Sequence, residues 1–280
     1  MDVDRVRSPK LEVTRDLTLP FLLSLLIAIL TVAASVAGIV FRTAIYPTDD
    51  LLRAFVSNDV VNLLVALPLL LGSIWLAWRG RLIGLLFLPG ALLFVLYSYI
   101  AYLIALPFSA AFPLHFALVI LSAHTLLELT AGIDGKAVQE SLAGAVHERI
   151  AGGVLAVLGF LFFLRALGVL ANSLMGGAVM AKADFAVNVS DILISPAWGV
   201  GGVLLWRRKE LGYVIGLGLL LGISLLFIAL IIFLLLQPFL TTAPFAMVDV
   251  VVISAMGLIC FIPLILFLRG VLSRRNPISA

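Results

Sequence analysis

Polar side chains stand inside or beside several long apolar runs of this chain. Insertion of an ionisable side chain into a bilayer costs about 2.5–3.5 kcal/mol, so such a group usually faces protein or water and marks a candidate site. Carboxylates, a guanidinium, amides and a phenol together could bind an ion or a small polar solute. The candidates for lining such a cavity are Asp59, Asn62, Tyr97, Arg165, Asn188, Asp191 and Asp249.

His124 and Glu128 form a second candidate of a different kind. They are four residues apart, so on a helix they share one face and lie within hydrogen-bonding reach. Such a pair could ligate a metal or relay protons, but it also occurs as a simple intrahelical contact. No further cluster supplies the missing metal ligands. We therefore predict no metal site, no cofactor and no catalytic residue apart from this alternative acid–base pair.

The composition indicates where these groups reside. The 280 residues are 63% hydrophobic and only 12% charged, whereas soluble domains are about a quarter charged. Apolar runs of about 20 residues can cross a bilayer as helices, which close their own backbone hydrogen bonds. The sequence therefore predicts an all-α, polytopic membrane helix bundle with eight transmembrane helices. The predicted spans are 17–41, 60–78, 82–105, 112–130, 150–172, 190–206, 211–236 and 246–268.

Lysine and arginine are distributed unequally between the two sets of connections. Fourteen of the 18 lie on the side that carries both termini, three lie on the other side, and Arg165 lies within a span. Because cytoplasmic loops carry the excess of positive charge, this pattern predicts a multi-pass protein of the cell membrane with both termini in the cytoplasm. The cavity candidates then fall toward the extracytoplasmic ends of their helices.

Two stretches of the chain, 59–84 and 188–213, share one plan. Each begins with an acid and an amide one helical turn apart, contains a proline and ends in tryptophan and arginine. Pro68 and Pro196 differ by 128 positions (196 − 68), and the tryptophans ten residues later have the same offset. We interpret this as a parallel 4+4 repeat, the alternative being chance similarity of apolar segments. The predicted units are a first half, 1–135, a cytoplasmic linker, 136–149, and a second half, 150–280.

Two connections have helical patterns of their own. Residues 49–56 place apolar side chains at positions i, i+1, i+4 and i+5, which predicts a short amphipathic helix on the outer membrane surface. In the linker, Val138, Leu142 and Val146 recur every four residues, which predicts a cytoplasmic interfacial helix. Ordinary connectors with a helical composition are the alternative in both places.

Several polar candidates also have a purely structural interpretation. Asp59 and Asp191 could cap helix N-termini, where a carboxylate meets free N–H groups. Tyr102 is expected in the aromatic belt at the membrane surface. Arg165 is expected to pair with Asp249 or Asp59, which have a similar predicted depth, to reach the interface, or to bind an anion.

The motifs D-x-x-N…P-L-L-L…R-G and W-R-R…G-Y, with a tyrosine-rich third span, carry a resemblance. The chain resembles an uncharacterised family of eight-span prokaryotic integral membrane proteins over roughly 45–125 and 185–235. The resemblance implies an eight-span fold and supplies no activity. The matching residues are Asp59, Asn62, Pro68, Arg79, Gly80, Tyr97, Tyr99, Tyr102, Trp206, Arg207, Arg208, Gly212 and Tyr213.

These features favour a small-solute transporter or channel with a polar cavity open to the extracytoplasmic side. Two alternatives stay open: a non-catalytic membrane subunit or sensor, and an intramembrane enzyme that uses His124 and Glu128 on a lipid or quinone-like substrate. Such enzymes usually have denser His, Asp or Cys clusters, so the sequence favours the other two. The expected partners are the lipid bilayer, an unknown small solute, and either a second copy of the chain or a partner membrane subunit. Binding of nucleic acid is not expected.

Overall fold

The computed structural model describes residues 13–177, 179–240, 245 and 247–273. This part of the chain contains no strand and eight helices that are long and apolar enough to cross a membrane, so the predicted all-α bundle with eight spans is confirmed. The helices are α1 (Thr18–Val40), α2 (Asp49–Trp78), α3 (Leu82–Ala105), α4 (Phe112–Gly132), α5 (Glu148–Gly176), α6 (Lys182–Trp206), α7 (Glu210–Leu240) and α8 (Met247–Ser273). We call the end at which α2, α4, α6 and α8 begin the upper end of the bundle. Five of the fourteen lysines and arginines on the side of the termini lie outside the described residues, namely Arg5, Arg7, Lys10, Arg274 and Arg275. Residue 246, at the predicted start of the last span, also lies outside them.

Two spans begin earlier than the sequence predicts. α2 begins at Asp49 rather than at 60, and α6 begins at Lys182 rather than at 190. The prediction of a separate surface helix over 49–56 is therefore wrong, because these residues form the first turns of α2. Thr48 caps this helix, since its side chain accepts a hydrogen bond from the Leu51 N–H.

The linker between the predicted halves contains the helix Gly135–Leu142. Val138, Leu142 and Val146 are buried, although Val146 lies beyond the end of this helix. The Gln139 amide donates a hydrogen bond of 2.6 Å to the backbone carbonyl of Arg208, in the turn between α6 and α7. The linker helix is thus held against the lower end of the second half.

α3 is the central helix of the bundle. In its most apolar stretch 78% of the residues are buried, against 22–44% in the other seven helices. It contacts α2, α4, α6 and α7. A helix that is apolar all round and enclosed by neighbours, as α3 is, belongs to the core. Near its upper end Tyr99 and Tyr102 are therefore buried in protein, and Tyr97 is half-buried.

The turns that join α2 to α3 and α6 to α7 have the same backbone geometry. Gly80 and Arg208 are both left-handed, with φ of 73° and 55°, and they differ by 128 positions (208 − 80). Matching backbone hydrogen bonds of 2.9 Å run from Arg81 N–H to Leu76 O and from Lys209 N–H to Leu204 O. In each turn the residue after the left-handed one donates this bond, which is the Schellman-type bond that ends a helix. The 128-residue offset found in the sequence therefore also relates two turns that have the same backbone conformation.

α3 and α7 cross at Gly90 and Gly218, which also differ by 128 positions (218 − 90). A Cβ atom on Gly90 would overlap the backbone carbonyl of Gly218, so the two helices meet backbone to backbone. Contact between equivalent positions is what a two-fold relation between two units produces. The correspondence covers α2–α3 and α6–α7, and the full 4+4 repeat stays a prediction.

Candidate binding cavity

A cavity of about 470 Å³ lies in the upper part of the bundle, between the two predicted halves. α2 and α3 form one side of it, and α5, α6, α7 and α8 form the other. Its volume falls within the range of about 300–1,000 Å³ that is typical of ligand sites. Its walls are mainly apolar and include Phe55, Phe162, Phe227, Leu230, Phe233 and Met256.

Three charged residues line the cavity, namely Asp184, which is exposed, and the ion pair of Arg165 and Asp191. Arg165 Nη2 donates a hydrogen bond of 2.6 Å to Asp191 Oδ2, and the Tyr97 hydroxyl donates one of 2.9 Å to Asp191 Oδ1. Asp191 is 1% exposed, whereas the Arg165 side chain is 51% exposed. Both carboxylate oxygens are therefore occupied. A guanidinium has five N–H donors, so Arg165, which lines the cavity, keeps donors beyond the one that binds Asp191.

The expected pairing of Arg165 with Asp249 or Asp59 is wrong. Asp249 is exposed in the first turn of α8, and the oxygens of Asp59 accept hydrogen bonds from tyrosines. The prediction failed because it placed Asp191 at the start of its helix. With α6 beginning at Lys182, Asp191 lies nine residues into the helix and reaches the depth of Arg165 on the adjacent α5.

The alternative that Asp59 and Asp191 cap helix N-termini is wrong as well. Asp59 lies ten residues into α2, and the residue preceding α6 is Ala181. At a rise of about 1.5 Å per residue, both carboxylates stand more than two turns below the upper ends of their helices. A helix can contain an acidic residue at this depth when protein groups donate hydrogen bonds to its carboxylate, as they do for Asp59 and Asp191.

Asp59 is the centre of a second polar cluster, outside the cavity. Its side chain is 0% exposed. The Tyr46 hydroxyl donates a hydrogen bond of 2.6 Å to Oδ2, and the Tyr102 hydroxyl donates one of 2.7 Å to Oδ1. The expectation that Tyr102 belongs to the aromatic belt is therefore wrong. Its hydroxyl is used by a buried carboxylate rather than by the membrane surface.

Aromatic rings enclose this cluster. Tyr99 stacks on Tyr102 with ring centroids 5.1 Å apart. The His115 ring from α4 lies 5.7 Å from Tyr99 and 5.2 Å from Tyr102, measured between centroids. Behind them the Tyr99 hydroxyl lies 3.4 Å from Ser35 Oγ on α1. The cluster therefore joins α1, α2, α3 and α4 at one level of the first half.

Gly38 allows α1 to approach this cluster closely. A Cβ atom at this position would overlap Asp59 Oδ2 and the Tyr46 hydroxyl. We expect Gly38→Ala to lower the free energy of unfolding by about 1–3 kcal/mol, the usual cost of overpacking a core. Gly72→Ala is the matched control, because no heavy atom lies within 4 Å of a Cβ at Gly72. Denaturant titration in detergent measures both variants, and equal effects would contradict this account of Gly38.

Asn62 begins a π-helical segment, Asn62–Ala66, within α2. Its side chain is 0% exposed, and its amide oxygen and nitrogen have no hydrogen-bond partner in the described part of the chain. A π-helical turn holds one residue more than an α-helical turn. This extra residue accounts for a change of offset in the sequence. The offset is 129 from Asp59 to Asn188 (188 − 59), before the segment, and 128 between the prolines after it.

The remaining candidates lie away from both clusters. Asn188 is buried on α6, where its amide donates a hydrogen bond of 2.8 Å to the Asp184 carbonyl. His124 and Glu128 are exposed on the outside of α4, and no hydrogen bond between them occurs among the described residues. The structure thus brings Tyr97, Arg165 and Asp191 together at the cavity. The binding and acid–base roles of all these residues stay predictions.

Sequence reasoning missed the residues that α1 and its connection contribute, namely Thr31, Ser35, Gly38 and Tyr46. A signal for the first three exists, because they recur at three- and four-residue spacing as a small or polar stripe on an apolar helix. Tyr46 carries no such signal. It follows a short helix, Arg42–Ile45, and reaches Asp59 only because the chain folds back there.

The fold and its buried polar groups define a multi-pass α-helical integral membrane protein. Across the chain, no protein-family model, curated protein or solved structure gives a match. Any function must therefore be argued from the two polar clusters and the cavity.

Proposed function

We propose that this protein is a small-solute transporter or channel of the cell membrane, with both termini in the cytoplasm and the cavity open to the extracytoplasmic side. The observation that carries the proposal is the cavity of about 470 Å³ with Arg165 half exposed in its wall. An arginine inside a span is costly and usually marks a functional site, so an arginine that lines a cavity favours a binding role. The distribution of lysine and arginine supports the orientation.

The chemistry of the wall supports a particular kind of solute. The wall includes Asn58, Ser98 and the exposed acid Asp184 beside the ion pair. Around Asp191 the available donors are the remaining guanidinium N–H groups of Arg165, because Asp191 already accepts hydrogen bonds from Arg165 and Tyr97 on both oxygens. A hydrogen-bond acceptor such as a carboxylate matches them best. The apolar residues on the other sides suit a hydrocarbon portion. We therefore expect a small organic anion, or a neutral solute with an exposed acceptor.

The position of the cavity supports transport over a purely structural role. It lies between the two predicted halves, near the crossing of α3 and α7 at equivalent glycines. In many transporters the solute binds at the interface of two repeats, which rock against each other. The 4+4 repeat is part of this proposal and supplies the two units that would move.

Cysteine labelling tests whether the cavity is open to water on the extracytoplasmic side. In a Cys260→Ser background, Val187→Cys places a thiol in the cavity wall, and Leu193→Cys places one on the exposed outside of the same helix. We expect a membrane-impermeant, cationic methanethiosulfonate added to intact cells to modify Val187→Cys only, because a lipid-facing thiol stays unionised and unreactive. Val179→Cys, in the upper connection after α5, controls for the orientation, and failure to label it would contradict the proposed topology.

Swelling of proteoliposomes tests permeation itself. The vesicles are placed in isosmotic potassium acetate, potassium lactate or glycerol, with valinomycin present to balance charge. We expect faster swelling than in protein-free vesicles for at least one solute, and loss of that difference in Val187→Trp, which fills the cavity. Leu193→Trp is the matched control. Equal swelling of all vesicles, together with no labelling of Val187→Cys, would overturn the proposal.

A further inference from the structure

The carboxylate of Asp59 is buried without a cationic partner. It is 0% exposed, and the two ion pairs found among the described residues involve other acids. Its hydrogen bonds come from the Tyr46 and Tyr102 hydroxyls, which are neutral donors. A buried charge that is neither paired nor bound to an ion is strongly unfavourable. The charge of Asp59 must therefore be removed by a proton or balanced by something other than a side chain of this part of the protein.

Polar atoms without partners lie close to the same carboxylate. Asn62 follows Asp59 by one helical turn, and neither atom of its side-chain amide has a hydrogen-bond partner. Thr31 on α1 is also 0% exposed, and its hydroxyl is likewise unpartnered. The Tyr99 hydroxyl lies 3.4 Å from Ser35 Oγ. Thr31 and Asn62 lie near the same hydroxyl, but neither has the geometry of a hydrogen bond to it. Each unsatisfied buried group costs about 1–3 kcal/mol, so two at one place call for an explanation.

Three occupants can be compared against these two observations. A proton on Asp59 removes the charge but leaves Thr31 and Asn62 without partners. A buried water satisfies Thr31 and Asn62 but leaves the charge of Asp59 unbalanced. A small cation does both as a single occupant, because it neutralises the carboxylate and takes hydroxyl and amide oxygens as ligands, whereas the other explanation needs a proton on Asp59 and a water together.

We propose that α1, α2 and α3 enclose a binding site for sodium beside Asp59. The oxygens that would coordinate the ion are the Asp59 carboxylate, Asn62 Oδ1, Thr31 Oγ1, Ser35 Oγ and the Tyr99 hydroxyl. All are hard oxygen ligands, and the presence of one carboxylate matches the charge of a monovalent ion.

The local backbone fits such a site. The π-helical segment begins at Asn62, and interruptions of this kind inside helices occur frequently at functional sites. Gly38 allows α1 to approach Asp59 closely, which brings the proposed ligands of α1 toward those of α2. The site stands apart from the cavity at Arg165 and does not depend on the proposed transport activity.

Thermal unfolding of the purified protein in detergent tests the proposal. The protein is scanned in sodium chloride, potassium chloride and choline chloride at equal ionic strength and constant pH. We expect sodium to raise Tm by about 3 °C or more over choline at ten times its dissociation constant, and potassium to raise it less. We also expect retention of ²²Na⁺ on the immobilised protein, in competition with unlabelled sodium.

Two isosteric variants provide a matched pair. Thr31→Val removes a ligand, whereas Thr125→Val removes a buried, unpartnered hydroxyl of α4 that takes no part in the site. We expect the sodium-dependent rise of Tm to disappear in Thr31→Val and to remain in Thr125→Val. We expect Asp59→Asn, which removes the charged ligand, to lose the sodium-dependent rise as well. If Asp59→Asn does not fold, the Thr31→Val result decides alone.

Other outcomes overturn the proposal. Equal Tm in all three salts, with no bound ²²Na⁺, indicates a buried water or a protonated Asp59 instead. A sodium effect that survives in both Thr31→Val and Asn62→Ala indicates that the ion binds elsewhere. Since none of these measurements requires a transported solute, failure of the sodium site and failure of the proposed transport are distinguishable.

Discussion

Replacement of Arg165 by methionine is expected to lower the free energy of unfolding by about 2–3 kcal/mol, whereas Asp191→Asn is expected to lower it by under about 1 kcal/mol. Loss of one partner of a buried ion pair typically costs about 3–5 kcal/mol, because the other charge stays buried and unpaired. The loss expected for Arg165→Met is smaller than this because the Arg165 side chain is 51% exposed and its charge is partly screened.

The asymmetry follows from the different burial of the two partners. Arg165→Met leaves Asp191, which is 1% exposed, with only the Tyr97 hydroxyl as a donor. Asp191→Asn instead leaves a half-exposed guanidinium on a long apolar stem, which can turn toward the water of the cavity. The asparagine oxygen can still accept a hydrogen bond from Tyr97.

Reversible unfolding by SDS in mixed micelles measures these differences. The double variant Arg165→Met/Asp191→Asn is expected to recover most of the loss of Arg165→Met, since no unpaired charge remains. Arg53→Met is the control, because the Arg53 side chain lies at the upper end of the bundle and, among the described residues, donates only to the Asp49 carbonyl, at 3.2 Å. Equal effects of the two single variants would show that Asp191 does not depend on Arg165.

The spans of this protein could be predicted because their signal is local. An apolar run of bilayer length predicts a membrane-spanning helix from its own residues, and the predicted α3, 82–105, has the bounds found in the structure. The starts of α2 and α6 could not be predicted in this way. There the helix continues upward through polar residues, because neighbouring helices supply hydrogen-bond partners that the local sequence does not show.

The partners within the site depend on the same non-local information. The sequence places Arg165 and Asp191 in the same membrane leaflet, but only the packing of α5 against α6 decides that they meet. Tyrosine is a common residue type in the aromatic belt, but Tyr102 is buried in the core because α3 is surrounded by other helices. The periodicity of apolar residues cannot distinguish a belt tyrosine from a core tyrosine on α3, because an enclosed helix is apolar on every face.

The crossing of α3 and α7 is expected to accommodate alanine at a cost in stability and no larger side chain. Gly90→Leu should abolish the folded, monodisperse protein, because the side chain would have to occupy the volume of the Gly218 backbone. Gly90→Ala should lower the free energy of unfolding by about 1–2 kcal/mol, since an overpacking cost of about 1–3 kcal/mol is partly offset by the higher helix propensity of alanine. Size-exclusion chromatography and SDS titration measure the two effects.

Gly168 supplies the control for this crossing, because it lies on α5 with no heavy atom within 4 Å of a Cβ and is exposed on the outside of the bundle. Gly168→Leu and Gly168→Ala should therefore leave the protein folded and as stable as the wild type. Gly218→Ala should resemble Gly90→Ala, since the two glycines face each other at equivalent positions. The double variant Gly90→Ala/Gly218→Ala should cost less than the sum of the two single variants, because helices already separated by one methyl group accommodate the second at a lower cost. If Gly90→Leu folds as well as Gly168→Leu, the two halves do not meet at this crossing, and the proposed two-fold relation loses its main support.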